Sequence, residues 1–155
     1  MQELTSGTPE TAVQAETKAE GMGSIAADSQ GLVLQEWKDA TGAHAREFVE
    51  EWISDALREL RIVLFDTTGC HICRRDVLGR GMPKKDAKRL SIYKDVGTDI
   101  VISDDIDFFE PTEADCGPRR REKLCLGRSG SLCRHIEKSY GVAIYTHIGF
   151  LAETF

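Results

Sequence analysis

Short runs of uninterrupted apolar residues alternate with helical patterns along this chain, and that order is the strongest constraint on its fold. The runs are IVLF (62–65), IVI (100–102) and VAIY (142–145). Each follows a segment whose apolar residues have helical spacing, over 44–60, over 84–96 and from about 129 or 131 to 140. This alternation predicts an α/β protein. We expect a three-layer α/β/α sandwich with a mainly parallel central sheet.

The region before the first of these helices has a different pattern. Short apolar runs at 25–27 and 32–34 flank the sequence DSQG (28–31), whose first Asp and last Gly are typical of a turn. We therefore expect a hairpin of two short strands there. The strand at 62–65 has no polar residue, so it is predicted to be fully buried.

The size of the chain sets its expected organisation. With 155 residues, of which 41% are hydrophobic, one compact core is expected. Residues 1–22 have few large apolar side chains and are predicted to be poorly ordered or weakly helical, with one domain over 23–155. No apolar run approaches the roughly 20 residues of a membrane helix, and the start lacks the pattern of a secretory signal. Five cysteines suit a reducing compartment. We expect a soluble, cytoplasmic protein that does not bind membranes.

The charge is distributed unevenly along the sequence. The net charge is -6, yet residues 70–89 and 119–134 together carry 13 basic and three acidic residues. Acidic clusters with separate basic segments suit a protein that holds a metal ion and a polyanion together. Solvated loops and helix faces are the alternative explanation for the same charges.

The densest acidic cluster follows a predicted strand. In IVISDDIDFF (100–109), a buried strand is followed by Asp104, Asp105 and Asp107. Ligands of parallel sheets bind beyond the carboxyl ends of the strands, and Mg²⁺ or Mn²⁺ prefers carboxylate oxygens and water. A metal site is therefore one interpretation. Turn formation and helix capping by exposed acids is the other.

Two stretches of the sequence resemble a known family. PKKDAKRLSIYKDVGTDIVISDDIDFFEP (83–111) resembles the C-terminal half of a PIN domain, where a helix carrying an aspartate leads to a strand ending in T-x-D or S-x-D. SQGLVLQEW (29–37) is similar to the G-x-I-x-x-E-[YW] element of a bacterial PIN-like subgroup. The resemblance covers roughly residues 25–151. It implies a metal-dependent endoribonuclease that hydrolyses RNA phosphodiester bonds, in many members as a toxin.

The resemblance assigns roles to individual residues. Asp105 matches the strand-end aspartate, Asp86 the aspartate of the preceding helix, and Glu36 the glutamate of the shorter element. These three are the expected catalytic residues, and together with Asp107 they are the expected ligands of Mg²⁺ or Mn²⁺. PIN domains begin with a strand that ends in aspartate. MQELTSGTPE (1–10) has no such strand and no aspartate precedes Asp28, so the match implies a chain that lacks its first acidic strand and cleaves weakly.

Partners follow from the family and from the charge. RNA is the expected partner, and its phosphates are expected to contact Arg119, Arg120 and Arg121. An antitoxin protein and a second copy of the chain are further candidate partners. A non-catalytic PIN-like RNA-binding module would keep the same basic segments.

The cysteines open a different alternative. Cys70 and Cys73 have the C-x-x-C spacing of half a zinc site, with His71 between them. Candidates for a second half are Cys116, Cys125, Cys133 and His135, but none forms a familiar second pair. A zinc-stabilised interaction module therefore stays open, while reduced, metal-free cysteines are expected.

Overall fold

The structure, a computed structural model, describes residues 9–39 and 43–155. Its contacts divide the chain into two compact units, Met1–Thr67 and Thr68–Phe155, a division that the length of the chain does not indicate. Each unit contains helices and one pair of parallel strands. No helix among the described residues is both long and apolar enough to cross a membrane.

The first unit is built around two parallel strands. Its elements in the described residues are α1 (Pro9–Met22), β1 (Ile25–Asp28), α2 (Leu32–Asp39), α3 (Ala43–Arg58) and β2 (Ile62–Phe65). Strand β1 pairs with β2 in parallel, with Ile25 opposite Ile62 and Asp28 opposite Phe65. Helices α2 and α3 pack on each other and supply buried residues such as Val33, Val49 and Ile53.

The hairpin predicted around residues 28–31 is wrong. Residues 32–34 begin helix α2, and β1 pairs with β2 instead. The Asp28 carboxylate explains the difference, since it accepts hydrogen bonds from the backbone N–H groups of Leu32 (3.0 Å) and Val33 (2.9 Å). An aspartate in this position caps the first turn of a helix. Gly31, with φ +82°, reverses the chain between the strand and the helix.

Strand β2 is present where the sequence predicts it, but it is not fully buried. Ile62 is only 2% exposed, whereas Val63, Leu64 and Phe65 are 37%, 44% and 38% exposed. The described sheet has two strands, so β2 has a paired neighbour on one side only. The apolar run therefore identifies the strand correctly and overstates its burial.

The second unit carries the larger set of elements. These are α4 (His71–Gly79), α5 (Lys84–Asp95), β3 (Ile100–Ile102), two short 3₁₀ helices (Ile106–Phe108 and Pro111–Glu113), α6 (Pro118–Cys125), α7 (Ser131–Tyr140), β4 (Ala143–Tyr145) and α8 (His147–Ala152). Strands β3 and β4 are parallel, with Val101 opposite Ile144. Their core includes Leu90, Phe108 and Ile136.

The mixed α/β class is confirmed, and the predicted helices over 44–60, 84–96 and 131–140 match α3, α5 and α7. Helix α7 ends at Gly141, whose φ of +69° is the left-handed conformation that terminates many helices. Both strand pairs are parallel, as expected, and they form two separate two-stranded sheets. An arrangement in three layers around one sheet stays a prediction.

Candidate metal centre

Three carboxylates of the second unit converge. Asp86 lies in the first turn of α5, Asp105 lies beyond the end of β3, and Asp107 lies in the first 3₁₀ helix. One oxygen from each of these side chains lies within 4.8 Å of the others, which makes them a candidate set of metal ligands. The three residues that the sequence assigns to a metal site within this unit are therefore brought together.

The chain after β3 turns sharply, and this turn brings two of the carboxylates close together. The Ser103 hydroxyl oxygen accepts a hydrogen bond from the Asp105 N–H at 3.1 Å. Asp105 Oδ1 in turn accepts a hydrogen bond from the Asp107 N–H at 3.0 Å, so Asp105 caps the 3₁₀ helix. A cap of this kind holds residues that are two positions apart in the sequence close to each other.

The start of α7 fixes the same segment from the other side. The Phe109 carbonyl accepts hydrogen bonds from the N–H groups of Leu132 (3.1 Å) and Cys133 (3.2 Å). The Glu110 carboxylate accepts from the Ser131 N–H at 2.9 Å. A Cβ atom at Gly130 would collide with the Phe109 carbonyl oxygen. Three N–H groups at the start of α7 are thus satisfied by the residues that directly follow the 3₁₀ helix.

The cluster carries more negative than positive charge. Burial, together with the charges of Asp105 and Asp86, raises the pKa of Asp107 to about 6, while Arg121 acts in the opposite direction. Arg89 forms a buried ion pair with Asp86 and lies 5.3 Å from the centre of the Phe108 ring. Carboxylates that crowd together in this way favour either a shared proton or a cation.

The dimensions of the cluster suit a hard divalent cation. Ligand oxygens lie about 2.0–2.1 Å from Mg²⁺ and about 2.3–2.6 Å from Ca²⁺, so two oxygens on opposite sides of one ion are about 4–5 Å apart. The 4.8 Å limit on the separations in this cluster is within that range for the larger ion.

Asp104 is engaged elsewhere. Its Oδ1 atom accepts a hydrogen bond from the His147 N–H at 3.0 Å and lies 3.3 Å from His147 Nδ1. His147 is 2% exposed, and burial lowers the pKa of its imidazole although Asp104 acts to raise it. Asp104 therefore connects the end of β3 to the start of α8, a contact that residue spacing does not reveal.

The three consecutive arginines lie in the first half of α6 and have different surroundings. Arg120 donates two hydrogen bonds to the Glu113 carboxylate, at 2.8 and 3.2 Å. Arg121 donates to the Asp104 carbonyl oxygen at 3.2 Å, next to the acidic cluster, and Arg119 is exposed. Successive side chains on a helix differ in direction by about 100°, so a run of three does not present one continuous face.

Glu36 belongs to the first unit, where it is partly buried on α2, and its role as a metal ligand stays a prediction.

Sequence reasoning missed Asp28. This residue is 0% exposed and ends strand β1. IAAD (25–28) is a strand that ends in aspartate, so it is a candidate for the acidic strand that the family pattern requires. The signal was the position of Asp28 directly after three apolar residues.

The cysteines do not assemble a zinc site in the described residues, which include all five of them. Cys73, Cys125 and Cys133 are buried in the apolar core of the second unit, and Cys70 and Cys116 pack against it. Burial raises the pKa of the Cys73 and Cys125 thiols to about 11, which disfavours the thiolate form that binds zinc. That the cysteines are metal-free stays a prediction.

His135, a candidate zinc ligand, has a different partner. Its Nε2 atom lies 2.7 Å from Asp76 Oδ2, and the Tyr140 hydroxyl donates to the same oxygen at 2.6 Å. These hydrogen bonds, that from Tyr140 first, hold the pKa of Asp76 well below its usual range. His135 therefore acts as a hydrogen-bonding partner within the second unit.

Comparison with known proteins adds no relative. The sequence matches no protein-family model, and no curated protein or solved structure is measurably similar to it.

Proposed function

We propose that this chain is a PIN-like endoribonuclease that uses a divalent cation, Mg²⁺ or Mn²⁺, to hydrolyse RNA phosphodiester bonds. The observation that carries the proposal is the convergence of Asp86, Asp105 and Asp107, whose ligand oxygens lie within 4.8 Å of one another. They come from a helix and from the segment beyond the following strand, which is the order in the PIN-like sequence block.

Two further observations support the family assignment. Both strand pairs are parallel, as a PIN-like sandwich with one mainly parallel sheet requires. Strand β1 also ends in an aspartate, Asp28. We propose that β1 is the strand with which the family pattern begins, and on that assignment the chain is an active enzyme.

The residues of the cluster have separable roles in this reaction. A divalent ion, when bound, would lower the pKa of a water molecule and stabilise charge on the attacked phosphate. Asp86, Asp105 and Asp107 would hold that ion. Arg89 neutralises part of the charge on Asp86 by its buried ion pair, which limits repulsion within the cluster. Arg121, beside Asp107 and free of a carboxylate hydrogen bond among those described, is placed to attract a phosphate.

RNA is the proposed substrate because two basic segments belong to the same unit as an acidic cluster of the required chemistry. The segments 70–89 and 119–134 both lie in the second unit with the cluster. An antitoxin partner, a homodimer and a cytoplasmic location remain parts of the family proposal.

Cleavage and binding should be measured separately with the full chain. We would incubate end-labelled single-stranded RNA with Mn²⁺, Mg²⁺ or EDTA, and measure binding by fluorescence anisotropy in EDTA. The test variant is Asp105→Asn, and the matched control is Asp115→Asn, which removes an exposed carboxylate of the same unit. We expect ion-dependent cleavage by the parent chain and the control, and its loss in Asp105→Asn with RNA binding retained.

Cleavage that survives both EDTA and Asp105→Asn would refute the metal-nuclease proposal. RNA binding without any cleavage would instead favour the non-catalytic RNA-binding module. The Asp86–Arg89 ion pair is the observation that favours that second candidate, because an internal counter-charge stabilises a carboxylate without a metal ion.

A further inference from the structure

Cys70 and Cys73 lie three positions apart at the start of α4. Cys70 is the residue that precedes the helix, and its carbonyl oxygen accepts a hydrogen bond from the Arg74 N–H at 3.0 Å, which closes the first turn around Cys73. Residues three apart within such a turn have Cα atoms about 5 Å apart, within the 4.4–6.8 Å that a disulfide spans. The backbone can therefore accept a bond between these two sulfur atoms without unwinding the helix.

The two thiols differ in their access to solvent. Cys73 is 0% exposed, whereas Cys70 is partly exposed. An incoming reagent can therefore reach Cys70, whereas Cys73 is shielded from it. This is the division of roles that a reacting dithiol needs.

The segment before the helix is held firmly in place. The Cys70 N–H donates to the Ser91 carbonyl oxygen at 2.9 Å. Gly69 has φ +94°, and a side chain there would collide with the Ser91 hydroxyl. This anchoring on α5 keeps Cys70 at the helix end.

The surroundings of Cys73 oppose its charged form. Burial first, and then the charges of Cys70 and Asp76, raise the pKa of the Cys73 thiol to about 11. Lys94, which donates to the Tyr140 carbonyl oxygen at 2.9 Å, acts in the opposite direction. A dithiol whose thiolate is not stabilised has a disulfide that is harder to reduce.

We propose that Cys70 and Cys73 form a redox-active dithiol that exchanges with small-molecule or protein disulfides and closes to an intramolecular disulfide. The Cys70 thiolate attacks one sulfur of the incoming disulfide, forms a mixed disulfide and releases the first thiolate. The Cys73 thiol then gives its proton to the departing second thiolate as its sulfur attacks the Cys70 sulfur, so that the second half of the incoming disulfide leaves as a thiol. The incoming disulfide is reduced to two thiols, and the protein dithiol is oxidised to one disulfide.

Tryptic peptides make the test direct. Cleavage after Arg61 and Arg74 leaves Cys70 and Cys73 together in one peptide, 62–74, whereas Cys116, Cys125 and Cys133 fall in three separate peptides. The full-length protein is equilibrated in a glutathione and glutathione disulfide buffer, quenched with acid, alkylated and analysed by mass spectrometry. The expected product is peptide 62–74 without alkylation or glutathione and lighter by two hydrogen atoms.

Variants and an unfolded control separate this pair from ordinary thiols. Cys73→Ser should accumulate glutathione on Cys70, and Cys70→Ser should leave Cys73 unmodified because Cys73 is buried. Cys116→Ser, which removes another partly exposed cysteine, should not change closure. In urea the closed fraction at the same buffer ratio should fall, by roughly tenfold in the equilibrium constant, because the helix turn is lost.

Three outcomes would overturn the proposal. They are a folded parent protein that keeps glutathione on Cys70 beside an unreacted Cys73, a disulfide that joins Cys70 to another cysteine, and equal closure in the folded and unfolded chains.

Discussion

The Asp105 carboxylate accepts a hydrogen bond from the backbone N–H of Asp107, 3.0 Å away. One side chain therefore has two tasks, since it shapes the 3₁₀ turn and contributes charge to the acidic cluster. The two tasks can be separated experimentally because asparagine is as good a cap as aspartate but carries no charge.

Asp105→Asn should weaken divalent-ion binding with little change in stability, whereas Asp105→Ala should also destabilise the protein, by about 1 kcal/mol. Isothermal titration with Mn²⁺ and urea unfolding measure the two effects. Equal ion affinity in the parent chain and Asp105→Asn would remove this residue from the ligand set.

Asp107→Asn should stabilise the protein in EDTA. In the parent chain, burial and the charges of Asp105 and Asp86 raise the pKa of the Asp107 carboxyl to about 6. At pH 8 the charge of Asp107 therefore opposes folding. After allowance for solvent screening, we expect a gain of about 0.5–1 kcal/mol at pH 8 that disappears near pH 4. The parent chain, but not the variant, should gain stability when Mg²⁺ or Mn²⁺ is added. Asp115→Asn, measured by thermal unfolding in parallel, should show neither effect.

Arg121 and Arg120 should differ in their effect on RNA binding. Arg121 lies beside the acidic cluster, while the Arg120 guanidinium is engaged by the Glu113 carboxylate. Arg121→Gln should lower affinity for single-stranded RNA and reduce the log–log salt slope by about 0.7 for each lost phosphate contact. Arg120→Gln is the matched control and should change the RNA affinity and the salt slope less. Anisotropy titrations at several salt concentrations test this, and the reverse order would contradict it.

Asp28 should be important for stability through its backbone contacts. Its carboxylate is fully buried and accepts hydrogen bonds from the N–H groups of Leu32 and Val33. Asp28→Ala leaves both donors without this acceptor and should cost about 1–3 kcal/mol in urea unfolding. Asp28→Asn keeps one acceptor oxygen and should cost less. Equal losses in both variants would show that the charge matters more than the cap.

Glu16 should make stability depend on pH. Burial, and then its hydrogen bond with Glu20, raise the pKa of Glu16 from 4.5 to about 8, although Arg61 acts to lower it. The folded protein therefore holds a proton that the unfolded chain releases, and the free energy of unfolding falls as pH rises from about 4.5 to 8. Glu16→Gln should flatten this dependence and be more stable than the parent at pH 9. Exposed Glu47→Gln is the control, and an unchanged pH profile in Glu16→Gln would contradict the prediction.

Periodic elements could be predicted from sequence because one face of each is buried. Helix α3 has its apolar side chains at intervals of three and four, and the buried Val49, Ile53 and Ala56 follow that pattern. The runs at 62–65 and 100–102 were recognisable as strands for a similar reason, since β-branched residues without polar neighbours suit a sheet. The convergence of Asp86 with Asp105 was predicted from the resemblance of residues 83–111 to a PIN domain, because the spacing of Asp105 from β3 alone also fits a cap.

Contacts between residues that are distant in the sequence could not be predicted in this way. The hairpin at 25–34 was predicted from a turn pattern, but the Asp28 carboxylate and the pairing of β1 with β2 determine the outcome. Helix α6, PRRREKLC, has too few apolar residues to show a period. The links from Asp76 to His135 and from Asp104 to His147 join residues 59 and 43 positions apart, beyond any local pattern.

The attachment of Phe109 and Glu110 to the start of α7 has a consequence for which sequences this chain can tolerate. The Phe109 contacts are made by a carbonyl oxygen, so they do not depend on the identity of that side chain. They do depend on Gly130, where any larger residue would meet the Phe109 carbonyl. In a library randomised over residues 129–133 and selected for folding, Gly130 should be recovered almost without exception, while the exposed Ser131 should vary. Amino-acid substitution near the acidic segment would then be limited by Gly130, a residue that takes no part in the proposed chemistry.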